Sequence, residues 1–473
     1  MFSLLTLAIS SFLLSLLLTP LVRNYSVRRG WVDTPDSGRK AHPWPVPRTG
    51  GVAVVAAFVG AYGVLLLTGL KGSRLVDLDV VWRLAPAVAI IFAVGLIDDL
   101  RGMSAWQKLL GQLLAAGVAF GSGVQVHGIG GWALPGWMEL PATLAWLVLI
   151  TNAVNLIDGM DGLATGVALF ATLTILTAGL QANNIPLAMA VVPLAGALLG
   201  FLRYNFNPAT VFLGDCGSLT IGFLLGCFGI FWSQKSATVL GVTSPLLALA
   251  IPLLDSGLAI VRRFITRQPI FGADRGHVHH KLLDKGLTVR QAVLLLYGVS
   301  LVFAILSLVS SVVHDSYAGV ILVLFGSATW IGVQSLGYVE INMAGRLLWG
   351  GGFRRMLIGQ LVIRHFEKAL REAQDAESIW RVVRDTAKEL GFQRVEMDVL
   401  GREFQESFQD GVAAAEWTAN VPLPGGDSVR LTRPFDAPTH QAAMGLFLDT
   451  LRKVLIEKQI RIDGEQRAHA AGA

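Results

Sequence analysis

Long apolar runs constrain this chain more than any other feature. Windows of about 20 predominantly apolar residues recur from the first residue to about residue 336, and each can cross the hydrocarbon core of a bilayer as a helix. A helix is required there because the bilayer offers no partners to backbone N–H and C=O groups. We predict about eleven spans, over residues 1–22, 50–70, 84–98, 105–122, 141–157, 163–181, 186–204, 216–233, 243–262, 292–313 and 316–336.

Composition agrees with an integral membrane protein. The chain of 473 residues is 53% hydrophobic and 15% charged, whereas soluble domains average about 25% charged residues. The net charge of +5 does not indicate nucleic acid binding, because membrane proteins collect Lys and Arg in their cytoplasmic loops. The two cysteines, Cys216 and Cys227, form neither a disulfide framework nor a zinc spacing.

Charge in the connecting segments predicts the orientation. Most Lys and Arg residues of residues 1–336 fall in alternate connections, and the remaining connections hold little beyond Lys71, Arg74, Arg83 and Lys235. By the positive-inside rule the basic connections are cytoplasmic. An odd number of spans then places the N-terminus outside. The external stretch "VHGIGGWALPGWMELP" is predicted to form a turn or short hairpin.

The composition changes near residue 340, where charged residues become frequent. The stretch "LVIRHFEKALREAQDAESIWRVVRDTAKELGF" predicts two amphipathic helices, "RVEMDVLG" a strand, "PLPGGDSVRLTRP" a turn and strand, and "APTHQAAMGLFLDTLRKVLIEKQIR" a long helix. We therefore expect a membrane domain over 1–336, an interfacial linker over 337–360 and a cytoplasmic α+β domain of unknown role over 361–473.

Acidic and amide residues gather at the predicted cytoplasmic ends of the spans. Asp98 and Asp99 end the third span, and Asp215 lies before the eighth. At the end of the fifth span, Asn152, Asn155 and Asp158 are spaced by three on one side of a helix, and Asp161 follows. Each Asp alone is explained equally well as a helix cap. Together, their oxygen atoms favour Mg²⁺ or Mn²⁺.

Basic residues occupy the same face. His277, His279 and His280 stand beside Arg275 and Lys281, a combination that favours phosphate binding over zinc, with a solvated basic loop as the alternative. Lys108 either binds phosphate or extends to the interface, and Lys40, His42 and Arg48 either bind substrate or mark the cytoplasmic side. A cation, basic groups and acids at the surface of a helix bundle predict phosphoryl transfer onto a lipid.

Four motifs carry a family resemblance. "LIDDLRG", "NAVNLIDGMDGLATG", "FLGDCGSLTIG" and "DRGHVHHKLL" resemble, in matching order over about residues 1–336, the polyprenyl-phosphate N-acetylhexosamine-1-phosphate transferases of glycosyltransferase family four. The resemblance implies an all-α polytopic bundle in the bacterial inner membrane with a cytoplasmic active site. It implies transfer of an N-acetylhexosamine-1-phosphate from a UDP-sugar to polyprenyl phosphate with Mg²⁺, giving UMP and a lipid-linked precursor of a cell-envelope polysaccharide.

The resemblance also implies residue roles. Asp98 and Asp99 match the paired acids near the acceptor phosphate, where one is argued to act as a base. Asn155 and Asp215 match magnesium ligands, and Lys108 matches a phosphate-binding lysine. Asp161 matches the position that reads uracil, and Asp158 beside it is expected to orient a lysine. Substrate binding is further expected at Asn152, Lys40, Arg48, Arg275, His277, His279 and His280.

The histidine pattern selects a branch of the family. "GHVHHKL" lacks three consecutive histidines and is similar to the branch that uses UDP-GlcNAc, while phospho-MurNAc-pentapeptide transfer is the alternative. A transporter with a regulatory domain is the alternative from another class, but it predicts ionisable groups near the bilayer midplane. A phosphatidyl-type alcohol transferase would need an Asp-Gly-x-x-Ala-Arg run, which the sequence lacks. A homodimer is left open.

Overall fold

The structure is a computed structural model that divides into two compact units, Met1–Tyr338 and Val339–Ala473. It describes residues 1–33, 45–69, 78–129, 132–233, 246–266, 277–312, 323, 326–327, 363, 365–399, 401–408, 416–434 and 444–458.

Helices make up nearly all of the described part of the first unit. They are α1 (Phe2–Arg29), α2 (Gly50–Thr68), α3 (Asp79–Arg101), α4 (Ala105–Gly121), α5 (Gly136–Ile157), α6 (Leu163–Gln181), α7 (Ile185–Asn205), α8 (Gly214–Ser233), α9 (Ala250–Thr266), α10 (Val278–Asp284) and α11 (Val289–Val312). Two short antiparallel hairpins interrupt them, β1 (Val32–Asp33) with β2 (Val46–Pro47), and β3 (Gly128–Ile129) with β4 (Trp132–Ala133). The second hairpin confirms the turn or hairpin predicted after the fourth apolar run.

Eight of the described helices are long and apolar enough to cross a membrane, namely α1, α2, α3, α5, α6, α7, α8 and α11. The predicted spans 105–122 and 243–262 correspond to α4 and α9, which have 17 residues each. The predicted span 316–336 lies outside the described residues, apart from three positions. The protein is therefore a multi-pass membrane protein, while the count of eleven and the orientation stay predictions.

Helix α1 is longer than the apolar window predicted. It continues through its basic last turn to Arg29 and ends where Gly30 adopts a left-handed conformation with φ of 73°. A hydropathy window stops at the first charged residues, whereas the backbone continues until a residue that tolerates positive φ appears.

Helix α8 forms the centre of the bundle. Its most apolar window is 89% buried, against 22% for α1. Glycines make its close neighbours possible: a Cβ on Gly51 of α2 would overlap the backbone of Gly217, and a Cβ on Gly95 of α3 would overlap the backbone at Asp215. Small residues at helix contacts let backbones approach closely in membranes. This approach brings the end of α3 against the start of α8.

The second unit is an α+β structure. Four antiparallel strands, β5 (Arg394–Val399), β6 (Arg402–Ser407), β7 (Glu416–Pro422) and β8 (Ser428–Pro434), form a sheet of order β6-β5-β8-β7. Helical segments cover 365–372 (α12), Ala376–Glu389 (α13) and 444–458 (α14). Buried residues of both kinds of element share one apolar core that includes Val395, Leu431 and Phe447.

The elements predicted in this region are present, but two strands were missed. Only one side of β6 and β7 is partly covered, and they occupy the two edges of the sheet. In β6, "REFQES" has one large apolar residue and shows no strand period, whereas in β7 Trp417, Ala419 and Val421 alternate with polar residues, a strand signal that the sequence analysis missed.

Candidate active site

A cavity of about 420 Å³ opens where α3, α8 and the connections between α5 and α6 and between α7 and α8 meet. Six aspartates line it, Asp33, Asp98, Asp99, Asp158, Asp161 and Asp215, together with Arg48 and His280. Five of these acids were predicted to converge from their placement at helix ends, whereas Asp33, 182 positions before Asp215, was not predicted. An excess of carboxylates in a confined space favours the binding of cations.

Asp99 joins α3 to α8. Its Oδ1 accepts the backbone N–H of Asp215 at 2.8 Å, and its Oδ2 accepts that of Cys216 at 2.9 Å. These N–H groups lie in the first turn of α8, where a helix has no internal acceptors and a partial positive charge. Asp99 therefore caps a helix other than its own, and both of its oxygens are used in doing so.

Lys108 bridges two of the acids. Its Nζ lies 2.7 Å from Asp98 Oδ2 and 2.7 Å from Asp215 Oδ2. The other oxygen of Asp98 accepts the N–H of Met103 at 2.6 Å. A capping box of Ser104 and Gln107 starts α4 just before Lys108 and thereby sets the direction of its first turn. One ammonium group thus pairs with two carboxylates where the end of α3 meets the starts of α4 and α8, and it balances one of their two negative charges.

The two asparagines predicted on one face of α5 have different partners. Asn155 Nδ2 donates to Asp215 Oδ1 at 3.1 Å and to Ser218 Oγ at 2.8 Å. Asn152, one turn earlier, exchanges two hydrogen bonds with Gln112 of α4. Neither asparagine is among the described residues that line the cavity, but Asn155 contacts an acid that does line it, whereas Asn152 contacts Gln112.

The connection between α5 and α6 supplies two acids with different surroundings. Asp161 Oδ2 accepts the side-chain N–H of Asn207 and the backbone N–H of Ala209, both at 2.9 Å, which ties the connection to the segment before α8. Burial, followed by the charges of Asp215, Asp99 and Asp161, raises the pKa of Asp158 well above its usual range. Asp158 is expected to orient a lysine, but Lys108 pairs with Asp98 and Asp215 instead.

The three histidines lie around the start of α10. His280 lines the cavity, whereas His277 and His279 are buried behind it. Burial and the neighbouring His280 lower the pKa of His279 to about 4, so this ring is neutral near pH 7. His277 pairs with Asp255 of α9 at 2.8 Å, a residue that the sequence analysis missed. A lone Asp inside the apolar run of a predicted span was the available signal.

The remaining basic positions are only partly described. Arg48 lines the cavity and pairs with Asp33 at 2.6 Å. Lys40 and Arg275 lie outside the described residues, so their predicted roles stay predictions.

The donor chemistry of the site fits a magnesium ion. No three His, Cys, Asp or Glu side chains form a ready metal site in the part of the chain that is described. Mg²⁺ needs no such set, since proteins hold it through one or two carboxylates while substrate phosphates and water complete its shell. Asp215 and Asn155 are hydrogen-bonded through the amide nitrogen of Asn155, each also carries an oxygen of the kind that Mg²⁺ prefers, and the adjoining cavity is acidic.

Comparison with known proteins places the chain in a family. The sequence profile of glycosyl transferase family 4 matches residues 81–233, which include most of the cavity. A Bacillus subtilis protein described as a probable undecaprenyl-phosphate N-acetylglucosaminyl 1-phosphate transferase is 35% identical over 310 residues, 64% of this chain and 83% of that protein. The chain belongs to glycosyl transferase family 4.

Other relatives within glycosyl transferase family 4 differ in their described donors. A decaprenyl-phosphate N-acetylglucosaminephosphotransferase of Mycobacterium tuberculosis is 38% identical over 306 residues, 58% of this chain and 74% of that protein. A phospho-N-acetylmuramoyl-pentapeptide-transferase of Lactiplantibacillus plantarum is 30% identical over 324 residues, 63% of this chain and 95% of that protein. The predicted family is thereby confirmed.

Proposed function

We propose that this membrane enzyme transfers GlcNAc-1-phosphate from UDP-GlcNAc to polyprenyl phosphate. A phosphate oxygen of the acceptor attacks the phosphorus that carries the sugar. The bond from that phosphorus to the bridging oxygen breaks, and UMP leaves with that oxygen. The products are UMP and polyprenyl-diphosphate GlcNAc. Relatives described as GlcNAc-phosphate transferases at 35% and 38% identity support this donor over the muramoyl-pentapeptide one.

One observation carries the proposal: Lys108 bridges Asp98 and Asp215 at the edge of the acidic cavity. Two anionic substrates repel each other, so their reaction needs positive charge that is held in place before they meet. Asp98 and Asp215 hold the Lys108 ammonium from two sides. The ammonium is then available to the acceptor phosphate without rearrangement of the bundle.

Magnesium supplies the second positive charge in this proposal. Asp215 and Asn155 would hold it, and it would neutralise charge on the donor diphosphate. Asp161, fixed by Asn207 and Ala209, would contact the nucleoside, and His280, which lines the cavity, would contact the diphosphate. Asp98 pairs with the Lys108 ammonium that the acceptor phosphate would meet, whereas both oxygens of Asp99 are engaged in capping α8. We therefore assign positioning of the acceptor to Asp98 and leave proton removal open.

Location follows from charge and hydropathy. The excess of Lys and Arg on one side supports a cytoplasmic active site in the bacterial inner membrane. In that place a polyprenyl tail stays in the bilayer while its phosphate reaches the cavity.

The decisive experiment measures UMP release by the protein in nanodiscs that contain undecaprenyl phosphate. The donors are UDP-GlcNAc, UDP-GalNAc and UDP-MurNAc-pentapeptide, with Mg²⁺ or with EDTA. We expect UDP-GlcNAc to be preferred and EDTA to abolish the reaction. Preference for the pentapeptide donor would refute the assigned sugar, and activity that survives both EDTA and Asp215→Ala would refute the metal assignment. Uptake of a solute into liposomes without chemical conversion would favour a transporter.

A further inference from the structure

An aspartate from another helix holds the start of α10. Asp255 Oδ2 lies 2.8 Å from His277 Nδ1, and Asp255 Oδ1 accepts the backbone N–H of Val278 at 2.7 Å. Both side chains are buried, at 2% exposure for Asp255 and 6% for His277. The carboxylate is therefore hydrogen-bonded to one side chain and one backbone N–H group of the same short segment.

The hydrogen bond from His277 Nδ1 to Asp255 selects one tautomer of His277. An ionised carboxylate can only accept hydrogen bonds, so Nδ1 of His277 carries a proton, and of the two neutral tautomers only the one with the proton on Nδ1 fits this contact. The second hydrogen bond satisfies one of the N–H groups that the first turn of a helix leaves without an internal acceptor. Asp255 thus fixes the orientation of the ring and the starting direction of α10 together.

Contacts among the rings of His277, His279 and His280 connect the Asp255 pair to the cavity. The His277 and His279 rings are parallel within 4°, with centroids 5.6 Å apart, and the His279 and His280 centroids are 4.3 Å apart. His279 also abuts Gly159, where an added Cβ would lie 2.7 Å from His279 Nε2. Gly159 is adjacent to Asp158, and both it and His280 line the cavity. The three rings therefore fill the space between Asp255 and the wall of the site.

We propose that Asp255 is a positioning residue for the transferase reaction, which sets the tautomer of His277 and, through the contacts among the three rings, the place of His280 against the donor diphosphate. This inference rests on the proposed function, because it assigns the histidines to the donor side. Asp255 itself touches no substrate and lies behind the rings.

The sharpest variant is Asp255→Asn. Asparagine keeps an oxygen that can accept the Val278 N–H, but its NH₂ group would face Nδ1 and favour the opposite tautomer of His277. Ser256→Ala is the matched control, because Ser256 is the next residue of α9, is equally buried and has no hydrogen-bond partner among the described residues. Outer partners that orient a metal-bound histidine typically change affinity or activity by about 10- to 100-fold, and we use the same range for the Asp255–His277 pair.

Kinetics should separate positioning from a general loss of structure. For Asp255→Asn we expect kcat/KM for UDP-GlcNAc to fall by about 10- to 100-fold, while KM for undecaprenyl phosphate and the thermal midpoint stay near those of Ser256→Ala. In a His277→Ala background, the same substitution should cause no further loss, because the pair acts as a unit. Equal losses with and without His277, or equal effects on both substrates, would overturn the proposal.

A spectroscopic measurement tests the tautomer without turnover. Imidazole ¹⁵N shifts of labelled protein in nanodiscs should show His277 protonated at Nδ1 in the wild type and at Nε2 in Asp255→Asn. A wild-type His277 protonated at Nε2 alone would overturn the proposal even if Asp255→Asn did not fold. If the wild type released no UMP from any UDP-sugar while the Nδ1 tautomer was present, the proposed function would fail and the Asp255–His277 pairing would stand.

Discussion

Replacing Lys108 by methionine tests the central charge arrangement of the site. Methionine has a similar length and no charge, so the variant leaves Asp98 and Asp215 facing each other without the ammonium between them. Each carboxylate oxygen is 2.7 Å from the same Nζ, so the two oxygens are no further apart than twice that distance. Two like charges about 5 Å apart repel by about 3 kcal/mol at an effective dielectric constant of about 20.

Partial exposure reduces this cost. The side chains of Lys108, Asp98 and Asp215 are 26%, 13% and 25% exposed, and water at the cavity mouth screens part of the repulsion. We therefore expect the free energy of unfolding to fall by about 1–2 kcal/mol. Millimolar Mg²⁺ should recover part of this loss, because a divalent cation can take the place of the ammonium between the acids.

Activity should fall more than stability. Removal of one preorganised donor to a developing charge typically lowers kcat by about 10²- to 10³-fold. The assay is UMP release in nanodiscs at saturating Mg²⁺, with thermal unfolding of the same samples. Arg83→Met is the control, since Arg83 pairs with Asp79 at the exposed opposite end of α3 and surface pairs contribute about 0–1 kcal/mol.

Wild-type kcat/KM in Lys108→Met would refute the reasoning, because it would show that the ammonium takes no part in bringing the two anions together. If Mg²⁺ did not reduce the loss of stability, this would contradict the view that Asp98 and Asp215 form a site that favours a cation.

Three further predictions follow from separate contacts. Asp99→Ala removes both acceptors from the first turn of α8, so we expect faster hydrogen exchange at the amides of Asp215 and Cys216 and a loss of about 1–2 kcal/mol in unfolding free energy; unchanged exchange would contradict the capping role. The pKa of His279 is lowered to about 4 in the folded protein. Between pH 4 and the ordinary histidine pKa near 6.5, the unfolded chain therefore binds more protons than the folded one. The free energy of unfolding of the wild type should fall by up to about 3 kcal/mol as pH falls through this window. Chemical unfolding at several pH values should show that His279→Asn loses less unfolding free energy than the wild type over this window. Identical pH profiles of the two proteins would refute the assignment to His279. A chain that ends after Tyr338 should keep wild-type UMP release, because every described residue that lines the cavity precedes residue 290; loss of activity in a folded truncated protein would show that the second unit is required.

Hydropathy and charge predicted the helices because a bilayer imposes the length and polarity of whatever crosses it. The convergence of Asp98, Asp99 and Asp215 was also predictable, since all three end or begin a helix on one predicted side. The pairing of Lys108 with two of these acids depends on the rotation of α4 about its axis. Neither hydropathy nor spacing reports that rotation.

The contacts between polar residues on different helices could not be predicted from the sequence for a related reason. Spacing by three placed Asn152 and Asn155 on one side of α5, and that holds. The two residues lie one helical turn apart and therefore have different partners: Asn155 contacts Asp215, and Asn152 contacts Gln112. Asp255 was missed because its partner, His277, lies 22 positions away on a different element.

The capping of α8 by Asp99 has a consequence for biogenesis. The acceptor and the amides that it caps are 116 positions apart, on helices that enter the bilayer separately before they associate. Until α3 and α8 meet, the first turn of α8 lacks its anion and Asp99 lacks its donors. A chain in which every helix has inserted but α3 and α8 have not yet met therefore still lacks the arrangement of Asp99 and α8 that the site uses.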